Sequence, residues 1–581
     1  MKYKEHYFDV CVVGGGLAGM CAAISAARHG SKVALVHDRP VFGGNCSSEI
    51  RMWPLGARGR NCRETGIFEE IVLENMRVNP MRTYPIWDAV LYSAVNAEEN
   101  ITTFMNCTVN DAKVQNDHII SVSGWQLTTY ITHTFYAHTF IDCSGDSIIA
   151  RLSGAEFRVG RESKEEFGEL AAPDAADSCT MGNSLMIQVR ETAAEVSFVA
   201  PKWIRKLDEK DLTNRYHGLE NLRANNFWWL ELGGDKNSLD DCEEIAKDLL
   251  ALSYGTWDHI KNGGDHSAQN WDLDWAGYLS GKRESARCIG DHILTQNEVA
   301  EGTQFDDIIA YGGWPVDNHP PKGFWHDGKP NRNYPVASPF GIPYRCLYSR
   351  NIDNLLFAGR NISVTHCAMA ASRVMATCAI LGQAAGTAAA LTVKYHITPR
   401  EVLELIRELQ EMLMHDDCWL PGRKRTISRI CQEAELTADC DNVENLRNGI
   451  DRPTDEEGDN GCFIPLGSDC TYTLKQPEYV QNVRIIFDSD LNRDTVEGGI
   501  ASVKDCPTIC NRPLDMKPFA FQTTMTDTFQ ILADGQVIHE ITGNRQRHVS
   551  LPVHRTVKEL VLRPTATCGN IMSHVFAFDF E

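Results

Sequence analysis

No Cys-x-x-Cys pair occurs anywhere in the chain, although it carries 20 cysteines. The tightest spacing, Cys506 to Cys510, leaves three residues between the thiols and has no matching second pair. An iron-sulfur cluster or zinc ribbon is thereby excluded on spacing, and no metal-ligand set is read elsewhere. Thiols dispersed through so long a chain read instead as buried free cysteines of a reducing compartment, so a cytoplasmic location is expected. Basic charge is also lacking: 56 Lys and Arg face 78 Asp and Glu, for a net charge of -22. That excludes nucleic acid or an anionic membrane as the main partner, while leaving room for a local basic pocket that holds a small anion. Long apolar runs are missing too. The longest small and apolar stretch, Ala384 to Leu391, is too short to span a bilayer, and the opening MKYKEHYFDV has no apolar leader segment.

What is present is an ordinary globular composition, 43% hydrophobic and 23% charged, over 581 residues, enough for two or three domains. The chain is organised around Phe8 to Arg39, FDVCVVGGGLAGMCAAISAARHGSKVALVHDR. An apolar strand, Val10 to Val13, ends in Gly14-Gly15-Gly16-Leu17-Ala18-Gly19. Small residues follow at helical spacing (Ala22, Ala23, Ala26, Ala27), and a second strand runs from Val33 to Val36. Strand, glycine turn, helix and strand place a dinucleotide pyrophosphate on a helix N-terminus. Gly14 allows the turn, Gly16 lets backbone approach phosphate, and Gly19 lets the helix lie close to the sheet. At the end of the second strand, where an acidic side chain accepts from ribose hydroxyls, His37 holds the first slot and Asp38 the next. Gly43 and Gly44 again mark backbone passing close to a ligand.

Further along, Arg51 to Arg63 (RMWPLGARGRNCR) reads as a loop whose arginines hold an anionic group or form a solvated face. Helices are expected over 64–76 and 87–97, a strand over 101–104, and an antiparallel ribbon from 109–112 and 119–122. Phe135 to Ile141 then enters the small-residue turn DCSGDS, with helix beyond it. Residues from about 155 to 335 read as an insertion containing a strand at 184–189 and the aromatic and amide-rich NNFWWLELGG. Those aromatics make either a sugar platform or ordinary core. Tyr311 to His319 is a glycine- and proline-punctuated loop. A strand at 355–357 leads into Ala358-Gly359-Arg360 and a helix rich in Ala and Gly. An amphipathic helix follows at 401–414, and the acidic stretch 439–459 reads as a linker. Short strands at 483–487, 529–532, 537–541 and 556–562 point to a terminal β-sandwich. That tail would bind carbohydrate, mediate association into a homo-oligomer, or brace the main domain.

With these stretches in hand the chain resembles the FAD-dependent oxidoreductases of the glutathione-reductase-type flavoprotein superfamily, and within it a bacterial family. The first unit and the later blocks FGGNCSSEIRMWPLGA, DCSGDSIIARLSGA, SGKRESARCIGDHILT, IAYGGWPVDNH, IPYRCLYSRNIDNLLFAGRNIS and SRVMATCAILGQAAGTAAAL carry the likeness across roughly residues 7 to 395. The resemblance implies FAD as cofactor, with Gly14, Gly16 and Gly19 around its pyrophosphate and Gly43, Gly44, Asn45 and Cys46 along its path. Arg39 and Val109 complete that side of the site. Asp142, Gly145 and Asp146 resemble a second family turn, and Gly359, Arg360 and Gly382 a late element closing over the flavin. His37 departs from the usual ribose-binding carboxylate. Either Asp38 compensates or the adenosine is held more loosely.

The expected fold is α/β: a Rossmann-like FAD-binding domain (1–154 and 341–396), an inserted α+β substrate region (155–340), a helical extension and linker (397–460), and a C-terminal β-sandwich (461–581). The expected chemistry is hydride transfer to or from flavin N5 with a small polar substrate, a carbohydrate derivative being one candidate. His319 is the preferred proton acceptor and His366 the second candidate. Arg283, Arg287 or Arg373 orients an anionic substituent or stabilises an oxyanion. The rivals are a C=C reductase or desaturase of an unsaturated acid, a non-catalytic carbohydrate-binding protein, and an NAD-only dehydrogenase. No second dinucleotide fingerprint is found, so the electron partner stays open among NAD(P)H, a quinone, another protein and oxygen.

Overall fold

The computed structural model describes residues 2–224, 226–264, 266–453, 460–493 and 506–581. The apolar run at the N-terminus forms β1 (Lys2–Val13), followed by α1 (Leu17–Arg28) and β2 (Val33–Val36). Two helices, α2 (Ile67–Val78) and α3 (Tyr84–Asn96), precede β3 (Ile101–Phe104). The ribbon is β4 (Cys107–Gln115) and β5 (His118–Gln126), and it runs on into β6 (Ile131–Asp142). These strands hydrogen-bond in the order β3-β2-β1-β6-β5-β4. Pairing is parallel from β3 to β6 and antiparallel from β6 to β4. The late strand Leu355–Phe357 pairs parallel with residues Phe140 to Asp142 of β6, so the chain returns to this sheet after the insertion. Helix α4 (Ile148–Ser153) follows β6 directly.

A 21-residue helix, Met375–Tyr395, lies against α1. It is longer than the small-residue run within it and apolar enough to cross a membrane (mean hydropathy 1.4), but 94% of that stretch is buried inside the fold. Its glycines explain the closeness. A Cβ on Gly382 would stand 2.0 Å from the Ala18 carbonyl oxygen, and one on Gly386 2.2 Å from that of Ala22. Ser25 and Thr387 share a hydrogen bond of 2.8 Å across the same crossing. Gly382, expected to close over the flavin, is therefore a helix-packing position.

The insertion is built on a helix the sequence pattern did not reveal, Cys242–Asn262, because its apolar positions Ile245, Leu249, Leu252, Trp257 and Ile260 are interleaved with charge. The expected strand at 184–189 is split into Asn183–Ser184 and Ile187–Glu191. In the C-terminal region the short expected strands belong to much longer ones, Cys470–Phe487 and His548–Thr567, which pair antiparallel through register shifts between Thr473 and Glu478 and between Val480 and Asn482. The first shift carries pairing past the polar Lys475-Gln476-Pro477 segment, where alternation is lost. The resulting antiparallel sheet encloses its own apolar cluster as a β-sandwich.

The expected linker is partly packed, and its residues 454–459 lie outside those described. Leu446 is buried, and Arg452 donates to the carbonyls of Asn61 (3.0 Å) and Arg63 (3.2 Å). Next to it Asp451 meets Arg484 at 2.8 Å and Arg425 at 3.5 Å, and Asp417 meets Arg547 at 3.0 Å. These buried ions clamp the terminal sheet onto the helical extension and linker, and Arg452 fastens that segment to the cofactor-binding half. Burial alone would raise the Asp451 carboxyl, but Arg484 and Arg425 hold it at about 2. Asp451→Ala leaves two buried guanidiniums short of a partner and is expected to cost about 3–5 kcal/mol in urea unfolding. Because the folded carboxyl sits below its unfolded value, its contribution is full above about pH 4. It should fade as pH falls toward about 2, so the gap between wild type and variant narrows in acid.

Candidate active site

The glycine turn is held by backbone contacts that no side chain would permit. Gly14 has φ 108°, and a Cβ there would meet the Cys143 carbonyl oxygen at 2.3 Å. One on Gly19 would meet the Gly14 carbonyl oxygen at 1.8 Å. Gly16 differs: its Cβ direction is open, with Gly44 Cα the nearest atom at 3.9 Å. It is also the N-cap of α1 and supplies no side-chain cap, so the first N–H groups of a 12-residue helix face this opening. Gly43 (φ 104°) donates its N–H to the Gly15 carbonyl at 2.8 Å and turns the second glycine pair alongside the first. An uncapped helix start beside an open glycine is the cradle a pyrophosphate needs.

His37 serves this turn. Its Nδ1 accepts from the Gly15 N–H at 3.0 Å and its Nε2 donates to the Val41 carbonyl at 3.0 Å, so both ring nitrogens are used internally. The Asp38 carboxylate, 3.2 Å from the same ring, is the more exposed of the two. Arg39 approaches Glu49 at 3.9 Å, and Asn45 donates to the Lys282 carbonyl at 3.0 Å, tying this loop to the insertion. Cys46 is buried, donates its thiol to the Gly43 carbonyl at 3.1 Å and is pushed well above the usual thiol range by burial. It is a turn-holding thiol. Val109 is a buried core residue of β4.

Asp142, expected at the cofactor, instead accepts from the Ser144 hydroxyl (2.6 Å) and the Ile149 N–H (2.8 Å), fastening α4 to the end of β6. Asp146 lies four residues on, where Gly145 (φ 71°) brings the backbone up to Arg360. Burial would raise the Asp146 carboxyl, but Arg360 and Lys282, each at 2.7 Å, hold it far below the usual range. Gly359 (φ 111°) turns the chain from the late strand into Arg360.

Beside these turns lies a cavity of about 270 Å³. Apolar walls come from Ile50, Met52, Trp53, Leu55, Met186, Trp228, Trp314 and Met375, with amides from Asn45, Asn226, Asn331 and Asn333. His319 and Arg373 enter it, as do Arg283, Arg360, Lys282 and Arg58. His319 is 2% exposed, with Nδ1 on Glu231 at 2.6 Å and Nε2 on Asp317 at 3.1 Å. Arg283 meets Glu231 at 3.3 Å, and Arg373 meets Asp317 at 3.2 Å. Burial works against the Glu231 charge, but Arg283 and His319 outweigh it and lower that carboxyl. Asp317 is held far lower, with His319 and Arg373 overcoming its burial.

The structure thus gathers His319, Arg283, Arg373 and Arg360 and sets two expected residues apart. His366 is 1% exposed, with Nδ1 on Glu284 at 2.8 Å, and does not line the cavity. Arg287, also 1% exposed, is paired with Glu162 at 3.0 Å. Both belong to a buried ion network behind the wall, which removes them as candidates for substrate contact. The sequence reading missed Glu231 and Asp317, which no local pattern distinguishes from other acids. Arg58 was foreshadowed by its arginine-rich loop. It stacks on Trp314 at 4.1 Å, and burial lowers its guanidinium, with Asp317 the charge that opposes this.

Residues 9–413 match the family described as FAD dependent oxidoreductase. The chain belongs to that family. FAD is its cofactor, and the open Gly16 and the uncapped start of α1 fit the FAD pyrophosphate. Among curated proteins, the soluble pyridine nucleotide transhydrogenase of Marinobacter nauticus is 49% identical over 43 residues, 7% of this chain and 9% of that protein. The glycerol-3-phosphate dehydrogenase of Mycobacterium leprae is 37% identical over 73 residues, 13% of this chain and 12% of that protein. These matches span about a tenth of the relatives' own length. A geranylgeranyl bacteriochlorophyll reductase-like protein from Thermoplasma acidophilum is similar in structure, with TM-score 0.31 and 11% identity, covering 71% of this chain and 86% of that one.

Gly16→Val fills the open side of the turn with methyl groups where the pyrophosphate approaches. The variant is expected to purify colourless, with an unfolding midpoint matching that of apo wild type. Absorption spectroscopy and thermal unfolding check the two halves of this expectation.

Proposed function

We propose that this flavoprotein oxidises or reduces a small carboxylate-bearing, polyhydroxylated substrate, a sugar acid or related hydroxy acid, in the cavity beside the flavin. The observation that carries the reading is a charge imbalance. Five cationic side chains (Arg58, Lys282, Arg283, Arg360 and Arg373) line the cavity, and three carboxylates (Asp146, Glu231 and Asp317) pair with them. Arg58 is without an ion pair among the described residues, and the Nε atoms of Arg58 and Arg373 and the indole nitrogen of Trp314 are buried without a partner. Buried polar groups are rarely left so, and a bound carboxylate supplies both the missing charge and the acceptors. Asn226, Asn331 and Asn333 offer hydrogen bonds to hydroxyl groups, and Trp228 and Trp314 offer apolar faces to ring carbons.

Bound FAD supplies a two-electron acceptor or donor at N5. The chain's own part is to orient the substrate and handle one proton. Glu231 and Asp317 hold the two ring nitrogens of His319, and the substrate hydroxyl proton passes to the His319–Asp317 pair. A second reading, reduction of a C=C bond in an unsaturated acid, uses the same anion clamp with His319 returning the proton.

Anaerobic mixing with sugar acids, hydroxy acids, neutral sugars and unsaturated acids tests the reading through bleaching of the oxidised flavin. For reduction, dithionite-reduced enzyme is mixed with the unsaturated acids and reoxidation is followed. Bleaching by neutral sugars with acids inert would sink the anion clamp, and reoxidation by an unsaturated acid alone would select the second reading. Arg58→Met is expected to raise KM for the acid about 10- to 100-fold, as for a lost charge-assisted hydrogen bond of about 1.5–3 kcal/mol, with FAD binding within about twofold of wild type. His319→Asn should lower kcat about 10²- to 10⁴-fold with little change in KM. Steady-state kinetics on the acid found by bleaching read both.

A further inference from the structure

Away from the cavity, in the insertion, four side chains converge that neither the FAD site nor the proposed reaction uses. Glu209 opens the short helical turn Glu209–Leu212, and His217 lies in the loop after it. His259 sits in the last turn of the helix Cys242–Asn262, and His266 follows that helix. One ligand atom from each lies within 4.8 Å of all the others. His259 Nε2 is 3.0 Å from Glu209 Oε2 and 3.1 Å from His266 Nε2, His217 Nε2 is 3.3 Å from Glu209 Oε1, and His266 Nε2 is 3.6 Å from Glu209 Oε2.

Tautomers decide what this cluster wants. His217 Nδ1 lies 2.6 Å from the Arg215 carbonyl, and His259 Nδ1 lies 3.3 Å from the Leu207 carbonyl. A carbonyl only accepts, so both rings carry their proton on Nδ1 and turn an Nε2 lone pair inward. Backbone-held Nδ1–H groups are how metal-binding histidines are oriented. Two ring nitrogens at 3.1 Å share either a proton, in an N–H···N hydrogen bond, or a metal ion. Tetrahedral zinc with Zn–N of about 2.0–2.1 Å sets its ligand atoms about 3.3 Å apart, the spacing these pairs already approach.

We infer that Glu209, His217, His259 and His266 form a binding site for one divalent cation of the zinc class. The histidine side chains are 4–14% exposed and Glu209 is 68% exposed, so the buried His217 and His259 and the half-buried His266 form the seat and the carboxylate closes it from the solvent side. The site pins the 207–217 segment to the end of the long helix. Two residues before His217, the Arg215 guanidinium donates to the carbonyls of Phe324 (2.6 Å), His326 (3.0 Å) and Gly328 (3.0 Å) in the loop just beyond His319.

The test uses the untagged, FAD-loaded full chain, stripped with chelator and titrated with Zn(II) or Co(II) alone. The expected result is one Co(II) per chain with intense visible bands of tetrahedral coordination, displaced by Zn(II), and a rise in unfolding temperature with Zn(II). His266→Ala, on a surface segment, and Glu209→Gln should keep FAD and fold while weakening Zn(II) binding by at least about tenfold. No retained metal with no thermal shift in wild type, or equal Zn(II) affinity in wild type and both variants, would overturn the inference and leave a proton-bridged histidine cluster. Metal content and Co(II) spectra do not depend on turnover, so failure here is separable from failure of the proposed reaction.

Discussion

Everything in the cofactor-binding half depends on backbone being allowed to touch backbone around α1. On one side Gly19 packs on the Gly14 carbonyl, and on the other Gly382 and Gly386 let the long buried helix ride on the carbonyls of Ala18 and Ala22. With side chains at these points α1 would be pushed off both the sheet and its neighbour, since close-packed interiors cannot absorb displacements of an ångström or more cheaply. The wedging fixes where the uncapped helix start points, and that direction is the FAD-binding property of the fold. His37 extends the same constraint by bonding the Gly15 N–H.

The cavity is organised by charge placed against apolar walls. Each of Arg283, Arg360, Arg373 and Lys282 is held by a carboxylate, which makes them rigid donors rather than mobile ones. Arg58 lies on Trp314 and has no carboxylate partner among the described residues. The contrast with Arg287, neutralised deep in the network of Glu162 and Glu284, shows that an arginine count by itself says little about anion binding. What matters is the balance of charge within reach of the void.

The terminal sandwich and the insertion are fastened by a different device, buried polar groups shared across segment boundaries. Asp451 and Asp417 receive arginines from the terminal sheet, while Arg215 reaches across the insertion to a row of carbonyls. Such contacts are specific in direction, so they hold distant segments in one register where apolar contact alone would allow sliding.

The sequence by itself determined the glycine turn, the strands around it, the second glycine pair and the terminal run of strands, because each is set by residues within a few positions of one another. For the arginines of the 51–63 loop it left two readings open, an anion holder or a solvated face. Only the tertiary structure separated His319 from His366 and Arg283 from Arg287. Within its own few neighbours either member of each pair looks equally fit. Pairing of Ala286 to Cys288 with Phe157 to Val159 carries Arg287 toward Glu162, while the short Gly281–Lys282 strand leaves Arg283 at the void. The cation site is the extreme case: its ligands come from a turn, a loop, a helix end and the segment after it, with no fixed spacing to read. Long-range packing brings those atoms within 4.8 Å of one another, and no local pattern encodes a distance that only the folded chain creates.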